Sequence, residues 1–239
     1  MTWYPLPFAG LLLIVSQTWL QNVNNEVKSP YLDEFFHIRQ AKVYWSGQWN
    51  VWDPKITTPP GLYLVSWIEY QLSRFFPTRE SIVQLRAINT VGIVLVFLVV
   101  SELIAARSKS KSQLSIVHTA LNISLFPPLF FFSGLYYTDV LSVLVVLKTH
   151  HSYHTCSPVL VALFGLVSLW FRQTNIFWTA VYLGGSEVVR VIKAQQTPGD
   201  LPLYASFTDV VNAAWLQGRL YDPPVGASYL EGLLYPFVW

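Results

Sequence analysis

Apolar residues gather in six blocks, at 5–20, 60–76, 88–106, 114–133, 135–148 and 158–183. A helix needs roughly 20 apolar residues to cross a hydrocarbon core of about 30 Å. The blocks therefore predict an all-α protein, one transmembrane domain over 1–239 with about five or six spans. The 5–20 block has no basic residue before it and no small-x-small cleavage site after it, so it reads as an uncleaved helix rather than a signal peptide. The 88–106 block is the clearest span. The 60–76 block is the most polar, carrying Glu69, Gln71 and Arg74. Pro127-Pro128 predict a bend in the fourth block, and Arg172, Gln173 and Asn175 interrupt the sixth.

The segment 21–58 is polar yet rich in rings: Tyr31, Phe35, Phe36, Tyr44, Trp45, Trp49 and Trp52. Such side chains favour the membrane–water boundary. Leu32, Phe35, Phe36 and Val43 recur at near-helical spacing after Ser29-Pro30, which predicts an amphipathic interfacial helix near 31–46. Arg107 to Lys111 reads as a solvated basic turn, and His150, His151 and His154 as a polar turn rather than a metal set. Gln195 to Asp200 reads as a loop. The tail, 194–239, is mixed and holds no block of spanning length.

Composition narrows the class. Only 12% of the 239 residues are charged and 53% are hydrophobic, whereas soluble domains carry about 25% charged residues. The 16% aromatic content excludes a disordered chain. A single Cys excludes a disulfide framework and a Cys-based zinc cage. A net charge of +2 gives no nucleic-acid footprint. There is no Gly-rich phosphate loop, no GxSxG, no HExxH and no Asp-x-Asp.

Against this apolar background, polar clusters stand out, because charge in or beside a membrane is expensive. In Asp33-Glu34-Phe35-Phe36-His37, Asp33 and His37 are four apart and share a helical face, with Glu34 pointing about 100° away. A carboxylate beside an imidazole is a candidate general base; the same pattern also fits the wet side of an interfacial helix. Trp52-Asp53-Pro54 through Pro60-Gly61 fixes a rigid turn, either a ligand-approaching backbone or a loop-to-helix connector. Arg172-Gln173-Thr174-Asn175 offers a guanidinium fork suited to phosphate, or to a carboxylate in another helix. Tyr136-Tyr137-Thr138-Asp139 carries the same ambiguity.

Taken together and in order, the blocks Tyr31-Leu-Asp-Glu-Phe-Phe-His37 to Tyr44, Trp52-Asp-Pro-Lys-Ile-Thr-Thr-Pro-Pro-Gly-Leu-Tyr63, Tyr136-Tyr-Thr-Asp139 and Arg172-Gln-Thr-Asn-Ile176 closely resemble one family. It is the endoplasmic-reticulum α-1,2-glucosyltransferase family of lipid-linked oligosaccharide assembly, multi-spanning enzymes of the GT-C type. Family members are longer and have more spans, so the resemblance implies that this chain corresponds to their N-terminal part. It also implies a multi-pass protein of the endoplasmic-reticulum membrane with the 21–58 loop on the luminal side. The positive-inside rule, applied to Lys28, Arg39, Lys42 and Lys55, would instead favour the cytoplasm.

The resemblance implies inverting transfer of the last glucose from dolichyl-phosphate glucose to a diglucosylated, dolichyl-diphosphate-linked oligosaccharide, with no cofactor and no metal. Inversion needs one displacement and one general base. Asp33 is the expected base and Glu34 its catalytic neighbour, positioning the acceptor. His37, Asp53, Tyr137, Asp139, Arg172, Gln173 and Asn175 are the expected substrate-binding residues, with Arg172 facing the lipid phosphate. The rival expectation is a catalytically inactive truncated membrane protein, or a channel or transporter accessory subunit, whose polar residues would be strung along an axis rather than gathered at one membrane face.

Overall fold

A computed structural model describes residues 4–73, 81–107, 112–195 and 207–218. The turn residues 108–111, the end of the 60–76 block, the loop 196–200 and most of the tail 194–239 lie outside the described residues. The described chain is mostly helical, with no strand among the described residues. It divides into two units, residues 1–180 and 181–239.

The first unit begins with α1 (Leu6–Glu26), a 21-residue helix about 31 Å long. α2 (Glu34–Trp45) is the helix expected near 31–46. Its buried residues Glu34, His37, Ile38, Gln40, Ala41 and Tyr44 repeat at three and four, while Phe35, Arg39 and Lys42 are exposed. α3 (Gly61–Ser73) has 13 residues. At about 20 Å it is short for a bilayer core. Its first residue meets the Trp170 carbonyl, while Glu69 and Ser73 near its other end accept hydrogen bonds from Gln84 at 2.8 and 2.6 Å. α4 (Ser81–Arg107), 27 residues, is the central helix.

α5 (Gln113–Ser124) and α6 (Pro127–Phe132) are the two halves of the fourth block, parted at the expected prolines, whose rings fit a helix's first turn but cannot continue one. α7 (Asp139–His154) follows a tight turn at 133–137, and α8 (Pro158–Leu169) returns from the His154 end. The long sixth block is not one helix. It ends at Leu169, turns through a 3-10 segment at Gln173–Asn175 and a π-helical segment at Phe177–Val181, and resumes as α9 (Tyr182–Gln195). The second unit holds α9 and α10 (Phe207–Gln217).

Two clusters form the core of the first unit. One joins α1, α4, α5 and the start of α7 through Leu12, Ile93, Phe97, Val100, Val117 and Val140. The other joins α2, α3, the start of α4 and the 135–141 segment through Ile38, Tyr44, Tyr63, Leu85, Tyr136 and Leu141. Elsewhere the usual distribution is inverted. Ser16, Ser66, Ser101, Ser124 and Ser168 are buried, while Ile14, Val159, Leu163 and Leu166 are at least half exposed. Ser16, Ser66, Ser101 and Ser168 return their hydroxyls to the carbonyl three or four residues back, as Ser101 does to Phe97 at 2.8 Å and Ser168 to Gly165 at 2.6 Å, whereas the Ser124 hydroxyl has no partner among the described residues. Small polar residues inside and branched apolar residues outside suit a lipid surrounding. Among the described residues, α1 and α4 are the two helices long and apolar enough to cross a membrane.

Candidate active site

The site is built at the end of the bundle where α1 finishes and α4 and α7 begin. Arg86, one turn into α4, is fully buried. Its Nε and Nη2 donate to Oε1 and Oε2 of Glu34 at 2.9 and 2.7 Å, a bidentate pair with neither side chain exposed. Nη1 donates to Asn24 Oδ1 at 2.9 Å and to the Val27 carbonyl at 2.8 Å, and Nη2 also reaches the Ser29 carbonyl at 3.3 Å. The Glu34 oxygens accept two backbone amides as well, from Tyr136 at 2.8 Å and Tyr31 at 2.9 Å. Glu34 is thus enclosed by protein on every side, with its acceptor capacity used internally.

Asp33 is its opposite. It stands at the position before α2 where an aspartate usually caps a helix by accepting a backbone amide, yet its side chain caps nothing. It is exposed, and its carboxylate has no hydrogen bond or ion pair among the described residues. Leu32, just before it, has φ of +46°, a left-handed conformation uncommon outside glycine and asparagine.

His37, one turn along α2, is 8% exposed. Its Nδ1 lies 2.6 Å from the Tyr63 hydroxyl, which donates to it when the ring is the neutral Nε2–H tautomer. The Tyr137 ring packs edge-on, centroids 5.7 Å apart. Burial holds the His37 ring below its ordinary value of 6.5, opposed by Asp33, Asp139 and Glu34 and assisted by Arg172. Those four charged groups come from the start of α2 and the residue before it, from α7 and from the turn after α8, and all lie within electrostatic reach of one imidazole.

Arg172 pairs with Asp139, Nη2 to Oδ1 at 2.9 Å, and its Nε reaches Thr138 Oγ1 at 3.3 Å. The Arg172 side chain remains 43% exposed and that of Asp139 24%, and Nη1 of Arg172 has no partner among the described residues. Gln173 is exposed beside it. Asn175 is buried: its Nδ2 donates to Ser142 Oγ and to the Ser168 carbonyl, both at 2.8 Å, pinning the turn that carries Arg172 to α7 and α8.

Asp53 is half-buried in a turn of its own. Its Oδ1 accepts the Lys55 amide at 3.0 Å, while its backbone amide donates to Gln40 Oε1 at 3.0 Å. Besides that bond to Gln40 of α2, the buried Tyr63 links it to the His37 group, its ring packing against both His37 and Trp52. Gly61 seals the two halves of this end together. Its amide donates to the Trp170 carbonyl at 2.7 Å, and a Cβ at 61 would stand 2.6 Å from that oxygen.

The residues that sequence reasoning passed over are on α4. Asn89 Nδ2 donates to the Leu135 and Tyr137 carbonyls, both at 2.7 Å, and Thr90 Oγ1 to the Ser133 carbonyl at 3.0 Å. Arg86, Asn89 and Thr90 are spaced i, i+3 and i+4, one helical face. A cation and an amide on one face at the mouth of an apolar run were the available signal. Tyr63 was visible only as the end of the proline-rich block.

An all-helical fold with lipid-suited flanks and a charged centre at one end is that of a membrane-associated protein. The chain belongs to the DIE2/ALG10 family, whose model matches residues 27–205. Among relatives, a protein of Emericella nidulans named Dol-P-Glc:Glc(2)Man(9)GlcNAc(2)-PP-Dol alpha-1,2-glucosyltransferase is 42% identical over 93% of this chain and 38% of its own length. Its namesake in Aspergillus fumigatus is 41% identical over 95% of this chain and 39% of its own. The Arabidopsis thaliana namesake is 40% identical over 65% of this chain and 33% of its own. The chain therefore spans under half the length of the curated relatives it matches. No solved structure gives a significant match.

Proposed function

We propose that this chain forms the acceptor-activating and donor-phosphate-binding part of a GT-C-type α-1,2-glucosyltransferase, a multi-pass protein of the endoplasmic-reticulum membrane. The donor is dolichyl-phosphate glucose and the acceptor a diglucosylated, dolichyl-diphosphate-linked oligosaccharide. The observation that carries the reading is the gathering of an unengaged carboxylate, Asp33, and a guanidinium with a free edge, Arg172, around His37 at one end of the helices. A channel lining would distribute its charges along the bundle axis instead.

In this scheme the acceptor's 2-hydroxyl oxygen attacks the glucose anomeric carbon from the face opposite the phosphate. The new C–O bond forms as the bond to the phosphate oxygen breaks, and the configuration inverts. The hydroxyl proton passes to the Asp33 carboxylate. Dolichyl phosphate leaves with the bonding pair, so its departure needs no proton. Arg172, oriented by Asp139 and Thr138, supplies positive charge where that phosphate collects negative charge. Asp139 keeps the guanidinium in plane and leaves its other edge toward the ligand. Tyr137, Gln173 and Asp53 complete the substrate-facing rim, and Asn175 acts from beneath by holding the Arg172 turn.

The test is transfer of labelled glucose from dolichyl-phosphate glucose to the lipid-linked acceptor in detergent micelles, with Asp33→Asn as the paired variant. Transfer by the unaltered chain that Asp33→Asn abolishes supports the reading. Equal transfer by both removes Asp33 from the role of base.

A further inference from the structure

We propose that the buried Glu34–Arg86 pair is a positioning device: it holds the strained Tyr31–Leu32–Asp33 turn and thereby fixes where the Asp33 carboxylate points. The inference rests on the proposed role of Asp33 and assigns Glu34 and Arg86 no contact with either substrate.

The turn is gripped from both sides. The Tyr31 amide donates to Glu34 Oε2 at 2.9 Å. The Tyr31 carbonyl accepts the Tyr137 hydroxyl at 2.9 Å and the Glu34 amide at 3.0 Å. Between these grips sits Leu32, at φ +46° and 71% exposed. Its side chain makes no compensating burial, so the backbone strain is held by its surroundings alone. Strain of this kind persists only where neighbouring structure over-determines it.

Stability alone is a weak reason for the pair. A buried Arg–carboxylate pair is often replaceable by apolar residues without loss of stability, because desolvation offsets the attraction. An apolar pair, however, could not accept the Tyr31 and Tyr136 amides. The same carboxylate thus ties the turn that ends at Asp33 to the segment leading to Tyr137 and Asp139. Asn89 fixes that segment from α4 by holding the Leu135 and Tyr137 carbonyls. The base and the guanidinium that faces the phosphate are set relative to one another through α4.

The test uses Arg86→Lys, which keeps the charge and loses the fork, and Glu34→Asp, which keeps the carboxylate and withdraws it from the Tyr31 amide. The first readout needs no activity. His37 is titrated by NMR in the full chain, in detergent, with Asp33, Glu34, Asp139 and Arg172 as the charges facing it. Arg86→Lys is expected to lower the His37 midpoint toward that of Asp33→Asn, and to add no further shift once Asp33→Asn is present. The second readout is transfer. The kcat per folded molecule is expected to fall roughly 10- to 100-fold, the scale of a 1 Å misplacement, with both KM values little changed. Adding Leu32→Gly, which relieves the strain, is expected to restore part of that loss.

A folded Arg86→Lys with the unaltered His37 midpoint and kcat overturns the proposal. So does a loss that appears only in the acceptor KM, or a midpoint shift that persists undiminished with Asp33→Asn. If Arg86→Lys does not fold, Glu34→Asp decides by the same criteria. The two readings fail separately: full transfer by Asp33→Asn removes the base, while the His37 titration cycle still decides the positioning role.

Discussion

Two arginine–carboxylate pairs stand at the same end of this molecule, built from the same chemistry and set in opposite surroundings. Glu34–Arg86 is dry: neither side chain is exposed, and each end of the guanidinium meets an oxygen. Asp139–Arg172 is wet: its side chains are 24% and 43% exposed, and it is joined by one short contact. In the first, both charges are consumed in holding backbone. In the second, one carboxylate oxygen orients the guanidinium and leaves donors over. Burial decides whether an ion pair is scaffold or tool. Breaking a buried pair strands a charge at about 3–5 kcal/mol, whereas an exposed pair contributes about 0–1 kcal/mol.

The comparison can be broken by mutation. Arg86→Ala leaves the Glu34 carboxylate buried and unpaired, and the expected loss of about 3–5 kcal/mol is a large part of a fold's stability. Thermal unfolding in detergent should show a much lower midpoint or no folded protein. A midpoint like that of the unaltered chain would mean the dry pair is not structural. Asp33→Asn should leave unfolding unchanged and reduce transfer by about 10²–10⁴-fold, the usual effect of removing a general base.

At the wet pair, Arg172→Lys should express and unfold normally, because an exposed pair carries little stability. It should raise the donor KM roughly tenfold, the effect of losing one charge-assisted hydrogen bond of about 1.5 kcal/mol, while the acceptor KM stays put. Poor expression with normal donor kinetics would place this pair with the dry one. The smallest effect belongs to His37. Its folded-state value lies below the ordinary 6.5, so the unfolded chain binds the proton more readily, and stability falls as the pH drops through and below 6.5. Unfolding midpoints should decline below that pH, and decline less in His37→Gln.

How much of this was legible in the sequence follows from what each signal reports. Asp33, His37, Asp139 and Arg172 stand out because polar residues in apolar surroundings are conspicuous, and the structure brings them around one imidazole. A helix near 31–46 was legible, although the face it buries is Glu34, His37, Ile38, Gln40, Ala41 and Tyr44 and not the Leu32, Phe35, Phe36 and Val43 spacing that predicted it; the break at Pro127-Pro128 was legible in proline chemistry. Arg86 escaped because the apolar run was read from residue 88, which cut the helix just after the cation that anchors it. The interruption of the 158–183 block at Arg172, Gln173 and Asn175 was visible, but hydropathy is blind to hydrogen bonds and does not tell that the helix ends at Leu169. Asn175 turns the chain there by satisfying Ser142 and the Ser168 carbonyl. Nor can composition tell that Glu34 is sealed while its neighbour Asp33 is open, since that depends on partners as distant in sequence as Tyr136.

The contact between Gly61 and Trp170 gives the site a gauge. The loop bearing Asp33 and Asp53 and the turn bearing Arg172 meet through main-chain atoms, amide to carbonyl at 2.7 Å. Trp170 itself is 54% exposed, so its ring can be exchanged without altering the spacing. Position 61 has no such latitude: the smallest side chain would already stand 2.6 Å from the Trp170 oxygen, and the seam would have to open. Side chains on either bank can therefore be exchanged without moving the seam, while the spacing of the two backbones stays written in a single hydrogen atom.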